Sequence, residues 1–391
     1  MCANDGMLHL KLISKKEVIS DDQSTIDQLK GGHIGNMVDG ILYLGIEEAL
    51  YLMDVRNAEC TANGKPVAFN DIASAFWKSG KFTSRYFTYK DWRDRGLVIK
   101  SPDSSYAEPG RMQVKEYPVS SLKLPDYKLH GVFFKTDLLT IIDDAEHGRD
   151  IYDRLWFGQY GSYKAPERGR LNKLDVYETL FLIDHGMLVL DNITVKELER
   201  HAAARRRDFP RLYQVYKDWR EKGYVIKTGF KFGTHFRVYF PGARPFKSES
   251  TGWIHSKHVI HVFPKESKLL ISEWARAIRV AHSVRKTFIL AVPGDPDERD
   301  VGFDYILYHR KGGDAESPDS GPPRFAMLSL SEEEYIGGRE FAGALRRARE
   351  SRLDLLLAIM DRETAVTYYR IRQIRLPHSR QEYYEIDWLQ P

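Results

Sequence analysis

The sequence predicts an α+β fold of tandem units. Each unit combines a helical, winged-helix-like N-terminal module with a mixed α/β C-terminal module, or holds one of the two alone. Three observations lead there. The chain repeats itself at an offset near 130, it repeats again at an offset of 67, and its apolar period switches between 3.6 and 2 along both repeats.

The first repeat is the clearer one. Tyr89-Lys-Asp-Trp-Arg-Asp-Arg-Gly-Leu-Val-Ile-Lys100 recurs as Tyr216-Lys-Asp-Trp-Arg-Glu-Lys-Gly-Tyr-Val-Ile-Lys227, and Leu44 to Asp54 parallels Leu174 to Asp184. In the second, Trp274 to Val292 resembles Phe341 to Ile359. Calling the repeated pieces A and B, the expected order is A over 1–123, A again over 130–228, B over 229–310 and B again over 325–391. Two polar segments, Ser101–Pro109 and Lys311–Pro323, read as exposed linkers.

Element by element, Leu174, Tyr177, Leu180, Phe181 and Ile183 share a helix face. Thr194 with Glu197 forms a capping box. Leu212, Val215, Tyr216 and Trp219 mark the next helix, which Gly223 ends. Tyr224–Thr228 and His235–Phe240, followed by Pro241-Gly242, read as two strands. Helix, helix, strand, turn, strand is the outline of a winged helix. In B, His258–Phe263 is a strand, Ser272–Lys286 a helix with Trp274, Ile278 and Ala281 on one face, and Thr287–Val292 and Phe303–Tyr308 further strands.

Composition narrows the classes. A chain of 391 residues exceeds one compact core. No apolar run approaches eighteen residues, so no membrane span is expected. Met1–Leu10 lacks the basic and apolar regions of a secretory signal. Two cysteines, Cys2 and Cys60, exclude a disulfide scaffold or a Cys-based zinc site and fit a reducing, cytoplasmic location. Net charge is only +4, although Arg205–Arg207 and Arg346, Arg347, Arg349 and Arg352 concentrate cations locally.

Phosphate-binding, dinucleotide, serine-hydrolase and zinc-protease motifs are absent from the sequence. Asp143-Asp144 and Glu332–Glu334 lack metal-ligand spacing with histidines, so no metal and no cofactor are expected. Around B lie Tyr239 at a strand end, His255 before a strand and Lys286 at a helix end. Such a trio suits metal-free phosphodiester transesterification: one group takes the 2′-hydroxyl proton, one protonates the leaving 5′-oxygen, and a cation stabilises the phosphorane. An imidazole, titrating near neutral pH, suits the acid role. Read alone, the same residues also fit strand packing, loop hydrogen bonding and a cation at a helix C-terminus.

Three segments change that balance. Gly229-Phe-Lys-Phe-Gly-Thr-His-Phe-Arg-Val-Tyr239, His255-Ser-Lys-His-Val and Arg279-Val-Ala-His-Ser-Val-Arg-Lys286 resemble, in order, the motifs of the archaeal tRNA-splicing endonuclease family. The stretch from Tyr239 to His255 is lengthened around Ala243–Thr251. The resemblance implies endonuclease-like units. Tyr239 would be the general base, His255 the general acid and Lys286 the stabilising cation. Arg279 would be one of two arginines that sandwich a bulged base, with Arg310 the candidate for the second. It further implies a precursor tRNA with a bulge–helix–bulge as substrate, 2′,3′-cyclic phosphate and 5′-hydroxyl ends as products, and a three-unit homodimer. That class joins an A-only unit, a catalytic unit over 130–310 and a B-only structural unit. In the second B copy, Leu353 stands where Lys286 is expected and Arg349 where His282 is, so that copy is read as structural. Its hairpin Met360–Thr364 offers Asp361 and Glu363 as an acidic unit–unit contact.

The A copies differ in one place. Gly35 to Leu44 spans nine positions and its counterpart Gly161 to Leu174 thirteen, and the four extra residues sit in Ser162-Tyr-Lys-Ala-Pro-Glu-Arg-Gly-Arg170, close behind Trp156, Phe157 and Tyr160. Lys164, Arg168 and Arg170 among aromatics suit RNA phosphates and unstacked bases, and are expected to widen the range of bulges accepted. Two other classes remain. One is a catalytically silent RNA-binding structural subunit. The other is a winged-helix DNA-binding regulator, against which the mixed charges of Leu212–Gly223 argue.

Overall fold

The computed structural model describes residues 6–15, 17–102, 112–248, 252–295 and 302–391. Cys2, positions 103–109 of the first expected linker and positions 249–251 of the Ala243–Thr251 stretch lie outside them. Helix and strand take nearly equal shares, 31% and 30%, in an α+β fold.

An eleven-stranded sheet runs through the centre, and its strand order accounts for both repeats. From the middle outward, one half runs Tyr383–Leu389, Thr287–Ala291, His258–Val262, Phe236–Tyr239 and Val225–Thr228. The other runs Val366–Arg375, Asp354–Met360, Phe325–Ser331, Tyr305–Leu307 and Ile99–Lys100. Lys115–Glu116 adds a short parallel pairing to Val366–Arg375. Register keeps the 67-residue offset: His258 faces Thr287 as Phe325 faces Asp354. Lys227 faces Arg237 as Lys100 faces Ile306. Each half therefore holds one A-derived outer strand and one B-derived set. Tyr305–Leu307, inside the stretch 229–310, pairs with Phe325–Ser331 and Ile99–Lys100 in the half opposite Tyr239.

Both faces of this sheet are covered, which is why its strands read as nearly continuous apolar runs. On one face lie the helices Ile271–Ser283 and Gly338–Glu350, joined in one core where Trp274 and Phe341 meet edge to face at 5.4 Å. On the other face the N-terminal module packs through Tyr86, Tyr89 and Trp92 of helix Phe82–Asp94 onto Met327, Leu356, Ala358 and Tyr368. The second module packs through Leu212, Val215, Tyr216 and Trp219 of helix Phe209–Glu221 onto Ile260, Val262, Ile289 and Tyr383.

The helix Phe209–Glu221 shows the local logic. Pro210 occupies its first turn, where a missing N–H costs nothing, and the apolar positions follow a 3.6 period. Gly223 closes it at φ +84°, where a Cβ would meet Ser120 Oγ at 2.3 Å. Thr194 and Glu197 form the expected capping box on Val195–Arg205. The two strands read as a wing, Val225–Thr228 and Phe236–Tyr239, continue into the large sheet, with Ile226, Phe236 and Val238 facing the core of the second module. Each module also carries its own small sheet, six-stranded in the first and five-stranded in the second.

Candidate active site

Alternation along Phe236–Tyr239 sends Phe236 and Val238 into the core, while Arg237 and Tyr239 share the opposite side. That side opens into a cavity of about 390 Å³ between the second module and the large sheet. Tyr239 is buried against Trp156, ring centroids 4.6 Å apart. Burial raises its phenol above the ordinary range, the nearby Tyr163 adds to this, and the Arg237 cation and the Ser256 side chain oppose it. Trp156 holds a left-handed conformation, φ 52°, at the C-cap of helix Ala145–Leu155. A bulky side chain there costs about 1–2 kcal/mol. His33, at the matching place in the first module, has the same φ of 52°, so the backbone shape belongs to the module and the indole to this site.

His255 is exposed and lines the same cavity. Its neighbour Ser256 is buried and joins the other two residues. Lys286 Nζ donates to the Ser256 carbonyl oxygen and, at 2.9 Å, to Ser256 Oγ, while Tyr239 meets the same side chain. Lys286 Nζ also lies 4.7 Å from the Phe232 ring centroid. Burial, then the Arg237 charge, hold the Lys286 ammonium below its ordinary range. The fold thus brings Tyr239, His255 and Lys286 together around Ser256.

The back wall is a buried polar frame. Lys227 Nζ donates to Glu178 Oε1 at 2.5 Å and to the Gly158 carbonyl at 2.8 Å, and Gly158 N–H donates to the same carboxylate at 2.9 Å. The first module repeats it: Lys100 donates to the Gly35 carbonyl at 2.7 Å, and Gly35 N–H to Glu48 at 3.0 Å. Since both copies hold it, this frame is architecture. Asp175, beside it, has its carboxyl pushed up to about 7 by burial and by the Glu178 charge.

The inserted loop reaches the cavity through Tyr163 and Lys164, whereas Arg168 and Arg170 are exposed and do not line it. Two ammonium groups lie near the Tyr163 ring, Lys164 at 5.6 Å and Lys231 at 5.7 Å from its centroid. Strand register corrects the insertion's length. Gln159 pairs with Lys173 as Asn36 pairs with Tyr43, so Gly158 and not Gly161 matches Gly35, and the loop is seven residues longer instead of four. Arg279 is exposed on its helix, close enough to lower the burial-raised Tyr369 phenol. Arg310 lies elsewhere, in the other half of the molecule, donating to the Arg95 carbonyl oxygen at 2.7 Å. In the hairpin, Asp361 Oδ1 accepts from Glu363 and Ala365 N–H at 2.9 Å, so its carboxylate shapes the turn while Glu363 is exposed.

Residues 209–303, which include Tyr239, His255 and Lys286, match the family model described as tRNA intron endonuclease, catalytic C-terminal domain. The tRNA-splicing endonuclease of Hyperthermus butylicus is 34% identical over 178 residues, covering 44% of this chain and 92% of that one. The chain belongs to the tRNA-splicing endonuclease family. The Methanopyrus kandleri tRNA-splicing endonuclease is 36% identical, covering 38% of this chain and 80% of that protein. A longer match, to the Methanosarcina mazei tRNA-splicing endonuclease, is 26% identical and covers 70% of this chain and 92% of the relative. As a member of the family carrying its catalytic domain, the chain is a tRNA-intron endoribonuclease. Sequence reasoning singled out neither Ser256 nor Arg237, and read Trp156 only as one of the aromatics beside the inserted loop. Only Arg237 carried a usable signal, its place two residues before Tyr239 on the same side of a strand.

Proposed function

We propose that this tRNA-splicing endonuclease cuts a bulge–helix–bulge precursor RNA without a metal, leaving 2′,3′-cyclic phosphate and 5′-hydroxyl ends. The convergence of Tyr239, His255 and Lys286 on Ser256 carries the reading. Tyr239, as phenolate, takes the 2′-hydroxyl proton, and the 2′-oxygen attacks phosphorus. The P–O5′ bond breaks as His255 gives its proton to the leaving oxygen. Lys286 stabilises the charge of the phosphorane. Lys164 and its loop contact the flanking RNA, with Arg168 and Arg170 exposed on that loop, and Arg279 stacks on a bulged base. Arg310, held on the other half, would reach RNA only from a second copy of the chain.

The acting form is a homodimer of the three-unit kind, with Asp361 and Glu363 at the contact between copies. Two observations support this. The chain contains one complete catalytic set, and its second half retains Tyr308, in register with Tyr239, but has Leu353 in place of Lys286. A substrate with two pseudo-symmetric cuts then needs two chains. The test is incubation of a bulge–helix–bulge precursor in EDTA, with analysis of the ends. Paired cuts with cyclic-phosphate ends are expected. Binding without cutting would instead favour the silent RNA-binding subunit.

A further inference from the structure

We propose that Arg237 is a second phosphate-binding cation of this active site, donating to a non-bridging oxygen of the scissile phosphate alongside Lys286. The inference rests on the assignment of Tyr239, His255 and Lys286 above. Arg237 lines the cavity that holds Tyr239 and His255, with its guanidinium 5.7 Å from the Tyr239 ring centroid. Its Nε is buried without a hydrogen-bond partner among the described residues. Directly across the strands stands Lys227, whose charge Glu178 already matches at 2.5 Å. No carboxylate forms an ion pair with Arg237 among the described residues. A half-buried guanidinium whose buried Nε donor is unused, beside a second cation, is costly unless an anion arrives to meet it. The planar fork of arginine fits the paired oxygens of a phosphodiester.

The other half of the molecule supplies an internal control. By strand register Ile306 occupies the place of Arg237, and Leu353 that of Lys286. At the 67-residue offset Pro322 stands where His255 does. The arginine is therefore missing from the half that also lacks the acid and the lysine, although the strand and its sheet are retained. The fold does not need a cation at this position, and the chemistry does.

Arg237→Ile installs what the other half already holds, and Arg237→Lys keeps the charge without the fork. Single-turnover cleavage of a bulge–helix–bulge precursor is compared across pH with affinity for the same RNA carrying 2′-deoxyribose at the cut sites. For Arg237→Ile the rate is expected to fall about 100-fold or more, as for loss of a transition-state donor, with affinity within about threefold. The alkaline limb moves to higher pH, because the cation that favours the Tyr239 phenolate and the neutral Lys286 amine is gone. Arg237→Lys should recover at least about tenfold of the lost rate. Cleavage by Arg237→Ile within about threefold of wild type overturns the proposal, as does an unmoved alkaline limb. If Arg237→Ile melts early, Arg237→Lys decides, and a rate no better than that of the isoleucine variant counts against the proposal. A wild type that leaves the RNA uncut removes the parent assignment, and Arg237 with it.

Discussion

At the residue scale, the proposed roles pair a base and an acid in an unusual order. A phenol titrates above an imidazole, and burial pushes Tyr239 higher still. The productive form, phenolate with imidazolium, is then a minor species. Its phenolate half grows as pH rises towards the raised Tyr239 range. His255→Ala removes the imidazolium factor, so its residual rate should climb with pH all the way to the Tyr239 range. A variant whose pH profile matches that of wild type would show that another group is the acid. Trp156 acts by holding the Tyr239 ring. Trp156→Ala should lower the single-turnover rate about 10- to 100-fold with little change in RNA affinity, since small misplacements of a reacting group cost that much. An unchanged rate would make the indole mere packing.

At the element scale, the frame behind the site is a stability device. Lys227→Met leaves the Glu178 carboxylate buried without its cation, and breaking such a pair costs about 3–5 kcal/mol. A large drop in melting temperature at neutral pH is the expected reading; a melting curve like wild type would contradict the frame's role. Asp175 makes stability depend on pH. Its folded carboxyl titrates near 7, above its unfolded range, so stability should fall as pH rises from about 4 to 7, and Asp175→Asn should flatten that slope. The elements themselves were legible in the sequence: the repeated Tyr-Lys-Asp-Trp stretches fall on matching helices, and the 67-residue offset survives in the strand register. Other features were hidden for physical reasons. Ser256 has no motif of its own, and its role exists only because a loop, a strand end and a helix end meet. The true length of the Ser162–Arg170 insertion needed the pairing of Gln159 with Lys173, since glycines at 158 and 161 are equivalent to any alignment by eye. Arg310 follows a strand that is near module B in sequence but pairs on the far half, so its distance from Tyr239 could not be read from the chain.

At the scale of the whole molecule, the N-terminal module finishes the C-terminal half. Ile99–Lys100 closes its sheet edge, Thr88 Oγ1 meets Ser329 Oγ at 2.7 Å, and Trp92 packs on Tyr368. Removing residues 1–102 would bare Met327, Leu356 and Tyr368 together with a sheet edge. Such a truncation should aggregate in light scattering, and a monodisperse product would contradict this coupling. On the proposed reading one chain carries one working site, so the catalytic trio is where the whole account can fail. The most direct test is single-turnover cleavage of a bulge–helix–bulge precursor in EDTA by wild type and His255→Ala. The account predicts cutting to cyclic-phosphate ends by wild type and a loss of about 100-fold or more in the variant at neutral pH. An undiminished rate in His255→Ala would place the acid, and with it the active site, somewhere else.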